Sequence, residues 1–462
     1  MQPGILMYAF PYKRISVSRL WSIALVYVAI GAFAAAQTIS DAAQRPGGPS
    51  AGLESEAIRE ETFQIVWKTV RDKHFDPTFG GVDWEKVREK YAPLATAAKS
   101  NQELHILLQK MLGELKQSHF NIIPPEAVVE DQSAEAVTGG VGIDIRMIDG
   151  RAIVSRVERG SPSDTAGLRQ GFVVERIGGV PVKQIAERLS TGSISPSISL
   201  LRITRAILAR MSGKPGTRVD VAFKDGNDQS REATLVCEPL KGEMSPPLGN
   251  FPSQYTEFEA RRLPGDIGYI RFNIFTMPIM AKIREAIRTM SNASGLIFDL
   301  RGNPGGFGGM SSGIAGLLEN EQTSLGTMRM RTAKQNFAVY PQENPYLGPV
   351  VIVIDGLSAS TSEVFAAGLQ DIGRAVVVGE TSLGAALPSV FLKLPTGARF
   401  QYAIADFQSP KGVRVEGRGV TPDIEVRLTR KALLQGRDPQ IEAAIDEVKK
   451  KAASYTRRAA GF

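Results

Sequence analysis

The stretch GLIFDLRGNPGG, at residues 295–306, joins a short apolar run to a turn that is rich in glycine. The run at 295–300 is predicted to be a buried strand, because it is short, apolar and followed at once by Gly and Pro. Similar strands are predicted at 267–272 and 350–354, with helices at 281–290 and 311–318. Such alternation predicts a mostly parallel sheet with crossover helices. The C-terminal half is therefore expected to be an α/β domain.

Two other patterns precede this domain. Residues 54–118 carry apolar side chains at helical spacing, which predicts a helical unit that ends before Pro124-Pro125. Short β-like runs with glycine turns follow, at 139–145, 152–157, 171–177 and 218–223. They predict a small β-rich domain. A length of 462 residues with 43% hydrophobic composition is consistent with an α/β multidomain protein.

The N-terminus has the pattern of a secretory signal. Lys13, Arg14 and Arg19 precede an apolar run at 20–33, and small residues follow up to Ala36. The run is short for a membrane-spanning helix, which needs roughly 20 residues, although retention as an anchor is an alternative. Residues 1–36 are thus expected to be a signal peptide, and the body of the protein is expected to be periplasmic or secreted.

Composition excludes several classes of site. The net charge of +7 is concentrated at the two ends, which does not make a nucleic-acid-binding surface and allows only weak attraction to a membrane surface. Cys237 is the single cysteine, so an internal disulfide is excluded. The histidines are His74, His105 and His119, without the spacing of a zinc site. No metal and no organic cofactor is implied.

Ser360 is the candidate nucleophile. It follows the predicted strand 350–354 and opens a helix, where backbone N–H groups and the helix dipole favour negative charge. Alone, this pattern also fits a serine that caps a helix. The turn after the strand at 295–300 can direct amides at an oxyanion, with Gly305, Gly306 and the amide of Thr361 as candidate donors. A purely structural β–α loop is the alternative for that turn.

Four motifs in order carry a family resemblance: DLRGNPGG at 299–306, SASTSE at 358–363, GRAVVVGET at 373–381 and VEGRGVTPDIEV at 415–426. With the stretch 72–84, they resemble the tail-specific, or C-terminal processing, serine peptidases and the related tricorn core peptidases. The resemblance covers nearly all of the chain after the signal. It implies a crotonase-like (ClpP-like) catalytic domain and a serine endopeptidase that acts on proteins or peptides.

A second resemblance lies in the β-rich part. The segments GGVGIDI at 139–145, GSPSDTAGL at 160–168 and IGGVPV at 177–182 resemble a PDZ domain of bacterial proteases. Gly142, Ile143 and Asp144 would form the loop that binds the C-terminal carboxylate of a substrate tail. Phe172 stands where an acidic residue is usual, and 189–213 is an insertion. The alternative is that these glycines only form turns.

The sequence differs from the processing peptidases at the position of the general base. In those enzymes, a lysine downstream of the serine takes the proton. Here Ala385 stands at that position, within TSLGAA at 381–386, and a methyl group cannot accept a proton. The tricorn-like branch instead uses a histidine before the PDZ position and a late glutamate. The resemblance therefore implies His119 as base and Glu416 as the orienting group.

Ser118 is an accessory hydroxyl in this hypothesis, which either bridges Glu416 to His119 or helps to polarise the scissile carbonyl. Activity is expected to fall as the pH drops through about 6.5, the value of an unperturbed imidazole. Loss of the lysine leaves an alternative from another class, a catalytically silent scaffold that binds peptides or a small ligand.

The two resemblances together predict the domain order. It is a signal peptide at 1–36, a linker at 37–52, a helical cap at 53–125, a PDZ-like domain at 135–240, a crotonase-like peptidase domain at 250–435, and a C-terminal helix with a basic tail at 436–462.

Overall fold

A computed structural model describes residues 50–125, 139–190, 196–249 and 251–459. The predicted signal peptide 1–36 and nearly all of the linker 37–52 lie outside these residues, so both stay predictions. Within the described ranges, no helix combines the length and the apolar character needed to cross a membrane.

The N-terminal part is helical, as the apolar spacing predicted. Two reciprocal hydrogen bonds join the helices that carry Trp67 and Trp84. Trp67 Nε1 donates to the Trp84 carbonyl at 3.2 Å, and Trp84 Nε1 donates to the Trp67 carbonyl at 3.1 Å. Asp83 and Ser100 cap two helices by accepting from backbone N–H groups. The elements are α1 (Ser50–Lys73), a short 3-10 helix (Phe79–Gly81), α2 (Trp84–Thr96), α3 (Asn101–Gly113) and β1 (Asn121–Ile123).

The middle part is β-rich, also as predicted. Its main sheet has the order β3-β4-β5-β8-β9, which leaves β3 at an edge. Phe172, where an acidic residue was usual, stacks on Phe223 with ring centroids 5.8 Å apart. The elements are β2 (Gly139–Gly140), β3 (Ile143–Ile148), β4 (Arg151–Val157), α4 (Pro162–Thr165), β5 (Val173–Ile177), β6 (Val180–Pro181), α5 (Val182–Ser190), α6 (Pro196–Arg210), β7 (Ser212–Gly213), β8 (Arg218–Lys224), β9 (Ser230–Val236) and β10 (Glu238–Pro239).

The predicted insertion at 189–213 folds largely as α6. Ile203 and Ile207 of α6 are buried in the core of the middle part, together with Ile145 and Val154 of the sheet. The insertion is therefore an integral wall of this part of the molecule rather than an appended loop.

The C-terminal part alternates strands and helices. It contains β11 (Glu243–Met244), β12 (Tyr255–Thr256), β13 (Phe258–Leu263), β14 (Ile267–Phe272), α7 (Met277–Thr289), β15 (Gly295–Asp299), α8 (Gly309–Ala315), β16 (Thr323–Met330), β17 (Lys334–Val339), β18 (Val350–Ile354), α9 (Thr361–Asp371), β19 (Val376–Gly379), β20 (Ser389–Lys393), β21 (Arg399–Ala403), β22 (Ala405–Gln408), β23 (Ile424–Glu425), α10 (Arg430–Leu434) and α11 (Pro439–Ala459).

The central sheet of this part has the order β13-β14-β15-β18-β19-β23. The β13–β14 pair is antiparallel and every other neighbouring pair is parallel, which confirms the mostly parallel sheet. Helices α7, α8 and α9 cover one face, and α11 covers the other. The α/β character of this part is thus established.

Two pairings bring distant segments to one place. Because β15 and β18 are parallel neighbours, their carboxyl ends lie at the same edge, where ligands bind in such sheets. The turns that follow these strands meet there, and the Ala359 N–H donates to the Asn303 carbonyl at 3.0 Å. In addition, β1 pairs with β21, which ties the end of the helical part to the C-terminal part next to this edge.

Candidate active site

The nucleophile turn holds Ser360 in an unusual backbone conformation. Its φ of 55° and ψ of −118° are rare for a residue other than glycine. The Ser360 N–H lies 2.8 Å from the Ala385 carbonyl and 2.9 Å from Glu363 Oε2, so two acceptors share it. Backbone strain of this kind persists only where neighbours enforce it, and it is concentrated at functional sites.

Glu363 is the main neighbour that enforces this turn. Its buried carboxylate accepts four hydrogen bonds, from Ser382 Oγ at 2.5 Å and from the N–H groups of Gly384, Ala385 and Ser360 at 2.7, 3.0 and 2.9 Å. Burial raises the pKa of Glu363 to about 7, while the donors favour its ionised form. The sequence interpretation did not single out this residue, although the spacing Ser360-x-x-Glu363 is a capping-box signal.

The glycine-rich turn packs directly on the nucleophile. A Cβ atom on Gly305 would lie 2.7 Å from Ser360 Cβ and 2.7 Å from the Thr361 nitrogen, so no side chain fits there. The Gly305 N–H donates to Asn303 Oδ1 at 2.9 Å and is engaged within its own turn. In the described part of the chain, the N–H groups of Gly306 and Thr361 have no hydrogen-bond partner.

Arg301 holds this turn from behind by pairing with carboxylates. Its Nη2 lies 2.7 Å from Asp299 Oδ2, and its Nη1 lies 2.8 Å from Asp438 Oδ2. Burial alone would raise the pKa of Asp299, but Arg301 and Arg271 hold it well below its usual range. The Asp355 carboxylate accepts the Gly302 N–H at 2.9 Å, which ties this turn to the turn that carries the nucleophile.

The structure brings Ser118, His119 and Glu416 together. Ser118 Oγ donates to Glu416 Oε2 at 2.9 Å and lies 2.7 Å from His119 Nδ1. The Ser118 N–H donates to Glu416 Oε1 at 2.8 Å, and the Ala386 N–H donates to Oε2 at 2.9 Å. Because the Ser118 hydroxyl has one proton and gives it to Glu416, it accepts the Nδ1–H of His119. The Nε2 lone pair of His119 is then available as a base.

Electrostatics keep this imidazole neutral at pH 7. Burial, together with the nearby positive charge of Arg205, lowers the pKa of His119 to about 4. Burial raises the pKa of Glu416, whereas the hydrogen bonds from Ser118 and Ala386 oppose that rise. The neutral ring has a lone pair that can accept a proton, although the lowered pKa makes it a weaker base than an ordinary imidazole.

The Ser118–His119–Glu416 group and Ser360 are joined through one short segment. Ala385 accepts the Ser360 N–H through its carbonyl, and the next residue, Ala386, donates to Glu416. No hydrogen bond links His119 directly to Ser360 among the residues that the structure describes. The two halves of the site are therefore linked through residues 385–386 rather than by a hydrogen bond between His119 and Ser360.

The position of the missing lysine is apolar. The Ala385 side chain is buried against Ala359 and Leu383, and Leu201 of α6 packs on the same cluster. The side chains that pack on this position are therefore apolar.

His74 supports the segment that carries His119. Its Nδ1 lies 2.8 Å from the Asp76 carbonyl oxygen, and its Nε2 lies 3.0 Å from Gln117 Oε1, so the ring is held from both sides. Its ring also stacks on Phe120, with centroids 5.4 Å apart and planes 12° apart. His74 thus contacts the residues on both sides of the Ser118–His119 pair. No signal in the sequence distinguished it from any other buried histidine.

The predicted carboxylate loop lies at the start of β3. A Cβ on Gly142 would lie 2.3 Å from Ser161 Cβ, so glycine is required there for packing. The Asp144 side chain points away to Arg271, at 2.9 Å, in the C-terminal part. A cavity of about 120 Å³ adjoins the loop and is lined by Ile143, among other residues.

The fold and the site define a class. An α/β body with a strained serine at a helix start and a half-buried histidine nearby is typical of a serine hydrolase. Residues 266–426 match the family model of Peptidase family S41, and residues 55–113 match the Tricorn protease C1 domain. The chain is therefore a serine peptidase that is similar to family S41, and its substrates are proteins or peptides.

The sequence is similar to those of named peptidases along most of the chain. It is 25% identical over 401 residues to the carboxyl-terminal-processing protease of Synechocystis sp., covering 84% of this chain and 87% of that protein. It is 26% identical over 410 residues to tricorn protease homolog 1 of Streptomyces coelicolor, covering 85% of this chain and 35% of that one. The predicted resemblance to the C-terminal processing peptidases is confirmed.

Solved structures support the same fold. The photosystem II D1 C-terminal processing protease superposes with a TM-score of 0.55 at 23% identity, over 81% of this chain and 94% of that chain. A CPAF mutant structure superposes with a TM-score of 0.60 at 14% identity, over 87% and 98% of the two chains.

Proposed function

We propose that this chain is a serine endopeptidase in which Ser360 is the nucleophile, His119 the general base and then acid, and Glu416 the orienting group. The observation that carries the proposal is the position of the Ser118 hydroxyl, 2.7 Å from His119 Nδ1 and 2.9 Å from Glu416 Oε2. This contact favours the Nδ1–H tautomer and leaves Nε2 free for the proton of Ser360.

The chemistry follows the general scheme of acyl transfer. His119 Nε2 takes the Ser360 Oγ proton while Oγ attacks the scissile carbonyl, and the imidazolium then gives that proton to the leaving amine. The N–H groups of Gly306 and Thr361 are unengaged and stabilise the oxyanion, whereas Gly305 supports the turn by its lack of a side chain. Water, activated by His119, then hydrolyses the acyl-enzyme.

Catalysis requires a small closing movement. His119 and Ser360 lie on segments that meet at 385–386, and catalytic hydrogen bonds often tighten only in the substrate complex. Ala385 stands where the processing peptidases have their lysine base. It therefore supports the tricorn-like mechanism, in which His119 is the base.

The peptidase domain is proposed to be crotonase-like, and the middle part PDZ-like. The edge strand β3 is open to pairing with a substrate tail, and the loop at Gly142, Ile143 and Asp144 offers backbone amides to its carboxylate. Lys241, beside the cavity, is already paired with Glu158 at 2.7 Å, so amides rather than a free cation would bind the tail. The signal at 1–36 supports a periplasmic or secreted location.

Turnover of a mixed peptide library tests the catalytic proposal. Ser360→Ala, His119→Ala and Glu416→Ala should each lower turnover by roughly 10³-fold or more, with unchanged circular dichroism. Ser291→Ala, at an exposed position, is the matched control and should keep full turnover. Full turnover by His119→Ala would overturn the proposed base.

Binding by the inactive Ser360→Ala protein tests tail selection separately. A peptide with a free C-terminal carboxylate should bind more tightly than the same peptide with a C-terminal amide. Equal affinity of the two would remove carboxylate recognition from the proposal while leaving the peptidase mechanism in place.

A further inference from the structure

One face of α6 covers the nucleophile turn. Leu200 and Thr204 line a cavity of about 320 Å³ together with residues 356–357, which precede Ser360. Leu201 packs on the apolar cluster beside Ser360. Residues four positions apart share a face of a helix, so Arg205 lies one turn beyond Leu201 on this same face.

The charge of Arg205 reaches the catalytic segment. The Arg205 guanidinium lowers the pKa of His119. Burial is the larger cause of this lowering, and Arg205 is the second. Its side chain is exposed to solvent, yet the surrounding protein removes part of its hydration and lowers the pKa of Arg205 itself. A cation beside a general base works against that base unless something else neutralises it.

Arg205 differs from the other arginines around the active edge. Arg146 pairs with Asp355 at 2.6 Å, and Arg271 pairs with Asp144 at 2.9 Å. Across the described ranges, neither Arg205 nor its neighbour Arg202 has a carboxylate partner. Within the described residues, α6 thus presents a cation without a carboxylate partner near the turn that carries Ser360.

We propose that Arg205, flanked by Arg202, forms a carboxylate-binding subsite that selects peptide substrates with a negative charge next to the scissile bond. The guanidinium is suited to this task, because it binds a carboxylate through two parallel hydrogen bonds. The carboxylate belongs either to an Asp or Glu side chain or to the C-terminus of a short substrate. The subsite rests on the proposed peptidase function.

Binding of the carboxylate also supports the chemistry. The negative charge offsets the effect of Arg205 on His119 and makes the imidazole a stronger base when a correct substrate is present. An acidic substrate should therefore have a higher kcat as well as a lower KM, whereas a subsite that only binds the substrate would lower KM alone.

Hydrolysis of matched peptide pairs tests the subsite. Quenched fluorescent peptides differ only by Glu or Gln at each residue near the scissile bond, and a second set compares a free C-terminus with its amide. At one position the wild-type kcat/KM should favour the charged peptide by roughly 10-fold or more, as a charge-assisted contact implies. The set that shows the preference identifies the source of the carboxylate.

Substitutions then assign the preference to a residue. R205Q should bring the ratio close to one without lowering hydrolysis of the neutral peptide, because it removes a cation that weakens His119 as a base. R205E should favour a Lys peptide at the same position. R210Q, at an exposed site at the end of α6, is the matched control and should keep the wild-type ratio.

The outcomes separate the two proposals. Hydrolysis of the neutral peptides with no preference for charge, or a preference that R205Q leaves unchanged, overturns the subsite alone. Failure of the wild-type protein to hydrolyse any peptide overturns the peptidase proposal and the subsite with it.

Discussion

Ser118 Oγ donates to Glu416 Oε2 across 2.9 Å, although the two residues are 298 positions apart in the chain. The same oxygen lies 2.7 Å from His119 Nδ1, so a hydroxyl stands between the carboxylate and the imidazole. The orienting force on the ring therefore passes through one intermediate hydrogen bond. This arrangement makes Ser118 a positioning residue with a measurable effect.

Ser118→Ala should lower kcat by roughly 10- to 100-fold, because the buried Nδ1–H of His119 loses its acceptor at a cost of about 1–3 kcal/mol. KM should change little, since the hydroxyl orients the base. Steady-state kinetics on a quenched peptide measure both constants. A kcat equal to that of the wild type would show that the ring is oriented by other contacts.

The pH profile should differ from that of an ordinary histidine. With the pKa of His119 lowered to about 4, the base stays neutral well below pH 6.5, so kcat/KM should hold to about pH 5 and halve near pH 4. Through His119, the folded state binds fewer protons than the unfolded chain in this window, so this residue lowers stability as the pH falls from about 6.5 towards 4. Glu363, whose pKa is raised to about 7, acts in the opposite direction. Circular dichroism at each pH separates unfolding from titration. An acid limb at pH 6.5 would contradict the buried environment of the ring.

Glu363→Ala should destabilise the protein by about 3 kcal/mol or more, because three donors lose their acceptor and the Ser360 N–H keeps only one of its two. The strained turn at Ser360 should relax as well, with a loss of turnover. Glu285→Ala is the matched control, because Glu285 pairs with Arg288 on the exposed side of α7 and its loss should leave the stability nearly unchanged. Chemical denaturation measures both variants. Equal small losses would remove Glu363 from its supporting role.

Gly305→Ala should inactivate the enzyme, because the new methyl group would lie 2.7 Å from Ser360 Cβ. Gly150→Ala separates this clash from backbone strain. Gly150 has a φ of 72°, comparable to the 96° of Gly305, but an added Cβ meets nothing within 4 Å. The control should cost about 1 kcal/mol of stability and no activity. Similar activities of the two variants would contradict the close packing of the turn on the nucleophile.

His74→Phe should lower kcat more than KM. Phenylalanine keeps the stacking on Phe120 but cannot form the hydrogen bond with the Gln117 side chain, so the segment that carries His119 loses one of its two supports. His105→Phe is the control, because that buried histidine contacts Thr396, on a segment away from the catalytic pair. A loss of stability without a fall in kcat in both variants would show that His74 has only a structural role.

The strands of the central sheet were predicted more accurately than the helices that pack on it. The strands at 267–272 and 350–354 have the predicted bounds, because each is an apolar run between residues that break strands. The helix predicted at 281–290 begins earlier, at Met277, since its first turn packs on the sheet and this contact depends on tertiary structure.

The sequence predicted which residues form the candidate site but not the contacts that hold them in place. Ser118, His119 and Glu416 were named from a resemblance, and their contact depends on the pairing of β1 with β21, which no local pattern encodes. Arg205 lies on a helix whose place over the cleft follows from the burial of Ile203 and Ile207, which no local pattern distinguishes from ordinary core packing.

Labelling of Ser360 by a fluorophosphonate tests the central claim most directly, because the reaction requires a base that activates the hydroxyl but no substrate recognition. Intact-mass spectrometry at pH 7 should show one adduct on the wild-type protein, none on Ser360→Ala, and labelling of His119→Ala slowed by roughly 100-fold or more. Labelling of His119→Ala at the wild-type rate would contradict the assignment of His119 as the base.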